Sequence, residues 1–134
     1  MLIKPITYTD FDGETRTEKF HFNLSRTECL EFEAEAGSIG LKKLLEKMVK
    51  EEDTKRLFAW FKKIVLTAYG EKSIDGKRFV KSEELSKAFE QSNAYDVLMV
   101  ELFTGGEKAV ADFINAVIPS ADGAQGAPVA IPSV

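Results

Sequence analysis

Hydrophobic and polar residues alternate with period two near the start of the chain and with helical period after it. In "TRTEKFHF", Thr15, Thr17, Lys19 and His21 oppose Arg16, Glu18, Phe20 and Phe22, the pattern of a half-buried strand. The preceding "IKPITYT" is rich in β-branched and aromatic residues, which favour a pleated surface. Between them lies "DFDGE". Its Asp12-Gly13 pair marks a turn, because glycine accepts a positive φ without steric cost. The pattern predicts a β-hairpin over residues 3–22. Pro5 lacks an N–H and places the first strand at an edge.

Beyond the hairpin the apolar period becomes helical. Ser25 with Glu28 three residues on matches a capping box. Cys29, Phe32 and Ala36 share a helix face with Leu30 beside it, and Gly37 suits the stop. Leu41, Leu44, Leu45 and Met48 form a second stripe. Asp53 or Thr54 caps a third helix with the stripe Leu57, Phe61, Ile64, Val65 and Ala68, which Gly70 is expected to end. Phe58 and Trp60 fall partly off that stripe. Ser82 caps a helix bearing Leu85, Ala88 and Phe89, and Ser92-Asn93 breaks it. "AYDVLMVELF" is apolar on nearly every face, so that helix is either central in the core or covered by a partner. Val110, Phe113, Ile114 and Val117 make the last stripe, stopped by Pro119.

The expected fold class is α+β: an N-terminal β-hairpin followed by a mainly α-helical bundle of five or six short helices. One domain spans residues 1–119, with its helical part over 25–118. "SADGAQGAPVAIPSV" at 120–134 is small, rich in Gly and Pro and nearly uncharged. It is expected to be a flexible tail that stays unstructured or orders only in an assembly.

Composition narrows the chemistry. The chain has 134 residues, 44% hydrophobic and 30% charged, an ordinary globular balance. Its N-terminus has no signal-peptide pattern. No run approaches the roughly 20 apolar residues of a membrane helix. A single cysteine, Cys29, excludes an internal disulfide and a multi-cysteine zinc site. A cytoplasmic protein without a membrane partner is the simplest reading. The net charge of −4 hides a gradient: residues 1–36 carry 4 basic and 8 acidic groups, and residues 37–63 the reverse. The basic block alternates its charges between apolar positions of helical period, so it reads as a solvated helix face and not as a nucleic-acid site.

The stretch "EKSIDGKRFVKS" invites comparison with a calcium loop. With Gly76 in the sixth position, Glu71, Ser73 and Asp75 occupy the first, third and fifth. Arg78 then stands at the eighth, where an aliphatic residue belongs, and Ser82 replaces the twelfth-position glutamate. Glu83 and Glu84 come too late. A tight turn that lets Phe79 and Val80 dip into the core is the expected structure. His21 reads as a surface residue and Cys29 as core, since a reactive thiol needs an accessible, electropositive setting. "TGGE" lacks the lysine and spacing of a phosphate loop. Glu31 and Glu35 share a helix face but read as solvated. No catalytic, cofactor or metal residues are assigned.

Two long stretches and a third, shorter one carry a family resemblance. "ITYTDFDGETRTEKFHFNLS" opens the chain, "AYGEKSIDGKRFVKSEELSKAFEQSNAYDVLMVEL" follows, and "VADFINAVIP" closes the ordered part. The most specific portion is Tyr69-Gly70-Glu71-Lys72-Ser73 with Asp75-Gly76, Arg78-Phe79, Lys81-Ser82-Glu83, Phe89 and Ala94-Tyr95. Over about residues 3–119 the chain resembles the tail assembly chaperones of long-tailed, siphovirus-type bacteriophages and prophages. The resemblance implies a non-enzymatic protein that holds the tape-measure protein in the host cytoplasm. It also implies recruitment of tail-tube subunits and absence from the mature virion. This chain would match the short one of the two forms, short and frameshift-extended, that such families often make.

A holder of a long amphipathic client needs apolar surface on a charged exterior. Phe58, Trp60, Val97, Val100 and Phe103 are the partner-binding candidates, because they fall beyond the simplest core stripe; self-association is a further use of such a face. Two rival readings stand beside the chaperone: a calcium- or small-ligand-binding helix–loop–helix module around Asp75, and a structural virion protein such as a head–tail connector.

Overall fold

The computed structural model describes residues 1–119. The tail expected over 120–134 lies outside the described residues. Strands β1 (Leu2–Thr9) and β2 (Thr15–Phe22) form the hairpin. Helices α1 (Arg26–Ala36), α2 (Leu41–Lys50) and α3 (Thr54–Ala68) follow, with one 3₁₀ turn at Gly37–Ile39. Strands β3 (Tyr69–Lys72) and β4 (Phe79–Val80) come next, then α4 (Glu83–Glu90), α5 (Asn93–Thr104) and α6 (Gly106–Val117). The architecture is α+β, as the residue pattern predicts.

The hairpin register pairs Leu2 with Phe22 and Thr9 with Thr15. Its turn is organised by Asp10, whose Oδ1 accepts the backbone N–H groups of Asp12 and Glu14, each at 2.9 Å. Arg16 Nε donates to the other carboxylate oxygen at 2.6 Å. These bonds hold the Asp10 carboxyl below the usual carboxylate range, with the Arg16 bond the largest cause. One face of the hairpin presents Leu2, Ile6, Phe20 and Phe22 inward; the other presents Ile3, Thr7, Thr17 and Lys19 to solvent.

The sheet has four strands in the order β1-β2-β3-β4, so β1 with Pro5 is an edge. Strands β3 and β4 correct the sequence-based expectation in three ways. Helix α3 ends at Ala68, and Gly70 is a strand residue paired with His21 rather than a helix stop. The loop after it is the turn of a second, shorter hairpin, Glu71 pairing with Val80 and Lys72 with Phe79. Phe79 and Val80 are half-buried in that strand instead of seated in the core. Glycine is required at position 70 for space. A Cβ there would lie 2.6 Å from the Phe79 ring and 2.7 Å from the Val80 carbonyl oxygen.

The helix starts follow the capping residues. Ser25 and Glu28 make both halves of the capping box on α1. Asp53, Ser82 and Ser92 accept from Arg56, Leu85 and Tyr95 N–H groups at the starts of α3, α4 and α5. The core gathers Phe22, Leu24, Phe61, Ile64, Val65, Leu98 and Val117, all essentially inaccessible. An aromatic cluster runs through it: Phe22, Tyr69, Phe20 and Tyr95 surround Phe89, and Phe113 bridges Phe22 and Phe61. Backbone bonds tie the hairpin exit to both ends of the bundle. Asn23 N–H donates to Ala68 O at 2.8 Å and Leu24 N–H to Val117 O at 2.9 Å.

Candidate protein-docking surfaces

Among the described residues, two groups of neighbouring apolar side chains stand out at the surface. The first is the outer face of α3 and α5. Helix α5 lies along β1, held by a Lys4–Glu101 ion pair at 3.3 Å and by Asn93 Nδ2 donating to Thr9 O at 2.8 Å. This docking turns Ala94, Leu98, Met99 and Leu102 inward. Because the helix is apolar all round, Val97 and Val100 then point outward, 37% and 54% exposed. Phe58 on α3 is 43% exposed, and its ring packs 5.3 Å from that of Phe103. Phe103 also meets Phe61 edge-on at 5.6 Å, which roots it in the core. Trp60 is half-buried against the core. Of the residues singled out from the sequence, Phe58, Val97 and Val100 are therefore open to solvent, and Phe103 is half-buried beside Phe58; Trp60, two positions from Phe58 on α3, points to a different side of that helix.

The second surface is a groove between α1, α2 and α6, enclosing about 300 Å³. Helix α2 packs on α1 and α3, and α6 packs on α5, which leaves the facing sides of α2 and α6 apart. Leu41, Leu45 and Val49 line one side, Val110, Ile114 and Ile118 the other, with Leu24, Cys29 and Ile64 also in the lining. Burial pushes the Cys29 thiol up from its ordinary value, so it stays protonated near neutral pH and is a poor nucleophile. The pattern of the chain did not single out this groove. Its residues sit at helical spacing in two stripes that read as ordinary core, and nothing local says that the two stripes stop short of each other.

The loop at Asp75 is built for its own turn. Asp75 Oδ1 accepts from Ser73 Oγ at 2.7 Å and from Lys77 N–H at 3.0 Å, and Ser73 Oγ accepts from Arg78 N–H at 3.0 Å. Those bonds lower the Asp75 carboxyl from its ordinary value, the Lys77 N–H being the largest cause. Among the described residues no group of three or more His, Cys, Asp or Glu side chains is arranged to hold a metal ion. Among them also, no helix is long and apolar enough to cross a membrane.

Lys81 joins this loop to the bundle. Its Nζ donates to Asn23 O and to Glu28 Oε1, both at 2.6 Å. The same Glu28 oxygen accepts the Ser25 N–H at 2.9 Å. One carboxylate thus completes the cap of α1 and pins the segment after β4.

A family model described as phage tail assembly chaperone matches residues 1–125. The chain belongs to that family. No curated protein and no solved structure matches it. Membership supports a chaperone role, implies that the protein is not an enzyme, and suggests protein partners in tail assembly. For a tail assembly chaperone the two apolar surfaces are the features to explain, since grouped exposed apolar residues mark sites of interaction with other proteins.

Proposed function

We propose that this chain binds the tape-measure protein in the host cytoplasm, helps recruit tail-tube subunits to it, and is left out of the mature virion. The family match over residues 1–125 carries this reading. The apolar outer face of α3 and α5 supports it. Phe58, Val97 and Val100 are exposed there, with Phe103 half-buried against Phe58. Exposed apolar residues grouped on neighbouring helices are suited to contact another tail protein or a further copy of this chain.

The test is co-expression with the tape-measure protein of the same genome, followed by size-exclusion chromatography with light scattering. A soluble complex with several copies of this chain per tape-measure chain is the expected result. An insoluble tape-measure protein beside a chain that elutes alone would reject the reading. Detection of this chain in purified particles would favour a structural virion protein.

A further inference from the structure

We infer that the groove between α2 and α6 is a second docking site, and that it takes an amphipathic helical segment flanked by basic residues. The inference goes beyond the outer face and rests on the chaperone reading only for the identity of the natural client. Three observations carry it. First, the groove is apolar and open. Leu41, Val49, Ile114 and Ile118 are left half-buried at its sides, next to the buried Leu45 and Val110. About 300 Å³ lies between them, at the lower end of the size of ligand sites. Second, its two sides are built on helices, Leu41, Leu45 and Val49 following at i, i+4, i+8 on α2 and Val110 and Ile114 at i, i+4 on α6, with Ile118 just past the end of that helix. A third helix laid between such ridges presents its own anchors at matching spacing. Third, the charge of the rim is one-sided. Glu33, Glu46 and Glu107 outnumber Lys42 among the described lining residues, even though α2 as a whole is rich in lysine. An occupant with Lys or Arg beside its apolar stripe meets these carboxylates, and an acidic occupant is repelled. Among the described residues the floor is apolar, with the Cys29 thiol buried in it, so specificity comes from the rim.

The experiment uses the full chain and two synthetic helical peptides. They share one leucine–alanine face and differ only in their flanking residues, lysine in one and glutamate in the other. Binding is followed by methyl and amide NMR. The lysine-flanked peptide is expected to bind about fivefold to tenfold tighter at low salt, with the preference shrinking as salt is raised. Its shifts should centre on Leu45, Val49 and Ile114. Ala111→Arg, on the exposed rim, should weaken that binding roughly tenfold while leaving the fold's spectrum in place. Equal affinity for the two peptides, or no binding of either, overturns the inference. So do shifts centred on Phe58 and Val100, or groove shifts that appear on concentrating the chain alone, the mark of a second copy. Failure of the co-expression test would reject the tape-measure reading and leave the peptide result standing.

Discussion

The rings of Tyr69 and Phe89 stack 4.4 Å apart with 13° between their planes. Tyr69 is the residue at which α3 turns into β3, and Phe89 lies in the last turn of α4. Their contact fastens the second hairpin to the helical layer. Phe89 also meets Phe20, Phe22 and Tyr95 within 5.7 Å, so a single side chain joins β2, β3, α4 and α5.

Phe89→Ala should therefore lower the unfolding free energy by about 3–5 kcal/mol, the usual range for removing a buried phenylalanine. Equilibrium urea denaturation measures it. A loss under about 1 kcal/mol would show that the cluster relaxes around the gap, or that the stacking is not formed in solution.

Gly70→Ala tests the close approach of β3 to β4. The added methyl meets a backbone carbonyl as well as a ring, and a backbone atom cannot step aside as a side-chain tip does. A loss of about 1–3 kcal/mol is expected. Phe79→Ala removes the ring but leaves the carbonyl, so it should rescue the variant only partly.

Removing the ammonium of Lys81 leaves Asn23 O and Glu28 short of a donor. Lys81→Met keeps the aliphatic stem and should cost about 1–2 kcal/mol, as expected for charge-assisted hydrogen bonds. Glu28→Gln retains part of the cap on α1 and should cost less. Thermal melts of the two variants, side by side, decide the order.

The Asp75 turn predicts a pH dependence. Its folded-state carboxyl is lowered, so its contribution is full above the ordinary aspartate value of about 4. The contribution is lost as pH falls through the lowered value. Asp75→Ala should thus melt below wild type at neutral pH, and the gap should close in acid. The group is fully exposed, so the gap is small. A gap that widened on acidification would contradict the assignment.

Val97→Glu with Val100→Glu addresses the outer face. Both positions are open to solvent, so the melting temperature should stay within a few degrees. Partner recovered in co-purification should fall roughly tenfold, since each lost apolar anchor is worth on the order of 1 kcal/mol or more. Unchanged recovery would move the contact elsewhere on the molecule.

Local rules determined much of this protein. The hairpin, every helix, the capping residues at Ser25, Asp53 and Ser82, and the inward stripes were legible because each depends on residues a few positions apart; Ser92, read as a helix break, proved to be the cap of α5 as well. The resemblance that names the family also lies in short runs such as Tyr69–Ser73 and Lys81–Glu83. Strands β3 and β4 were not legible. They are short; β3 begins where α3 ends without a linker, and pairing of β3 with β2 across the chain and of β4 with β3, not local alternation, makes them strands. The exposure of Val97 and Val100 was left open by an all-round apolar helix, and only the docking of α5 on β1 chose which side faces water. The groove was beyond any local signal. Leu41, Leu45 and Val49 carry the same pattern whether a neighbour covers them or not, and the separation between α2 and α6 is set by what each packs on: α1 and α3 for the first, α5 for the second. Sequence periodicity determines which face of a helix is apolar; only the tertiary arrangement decides which apolar faces are left uncovered.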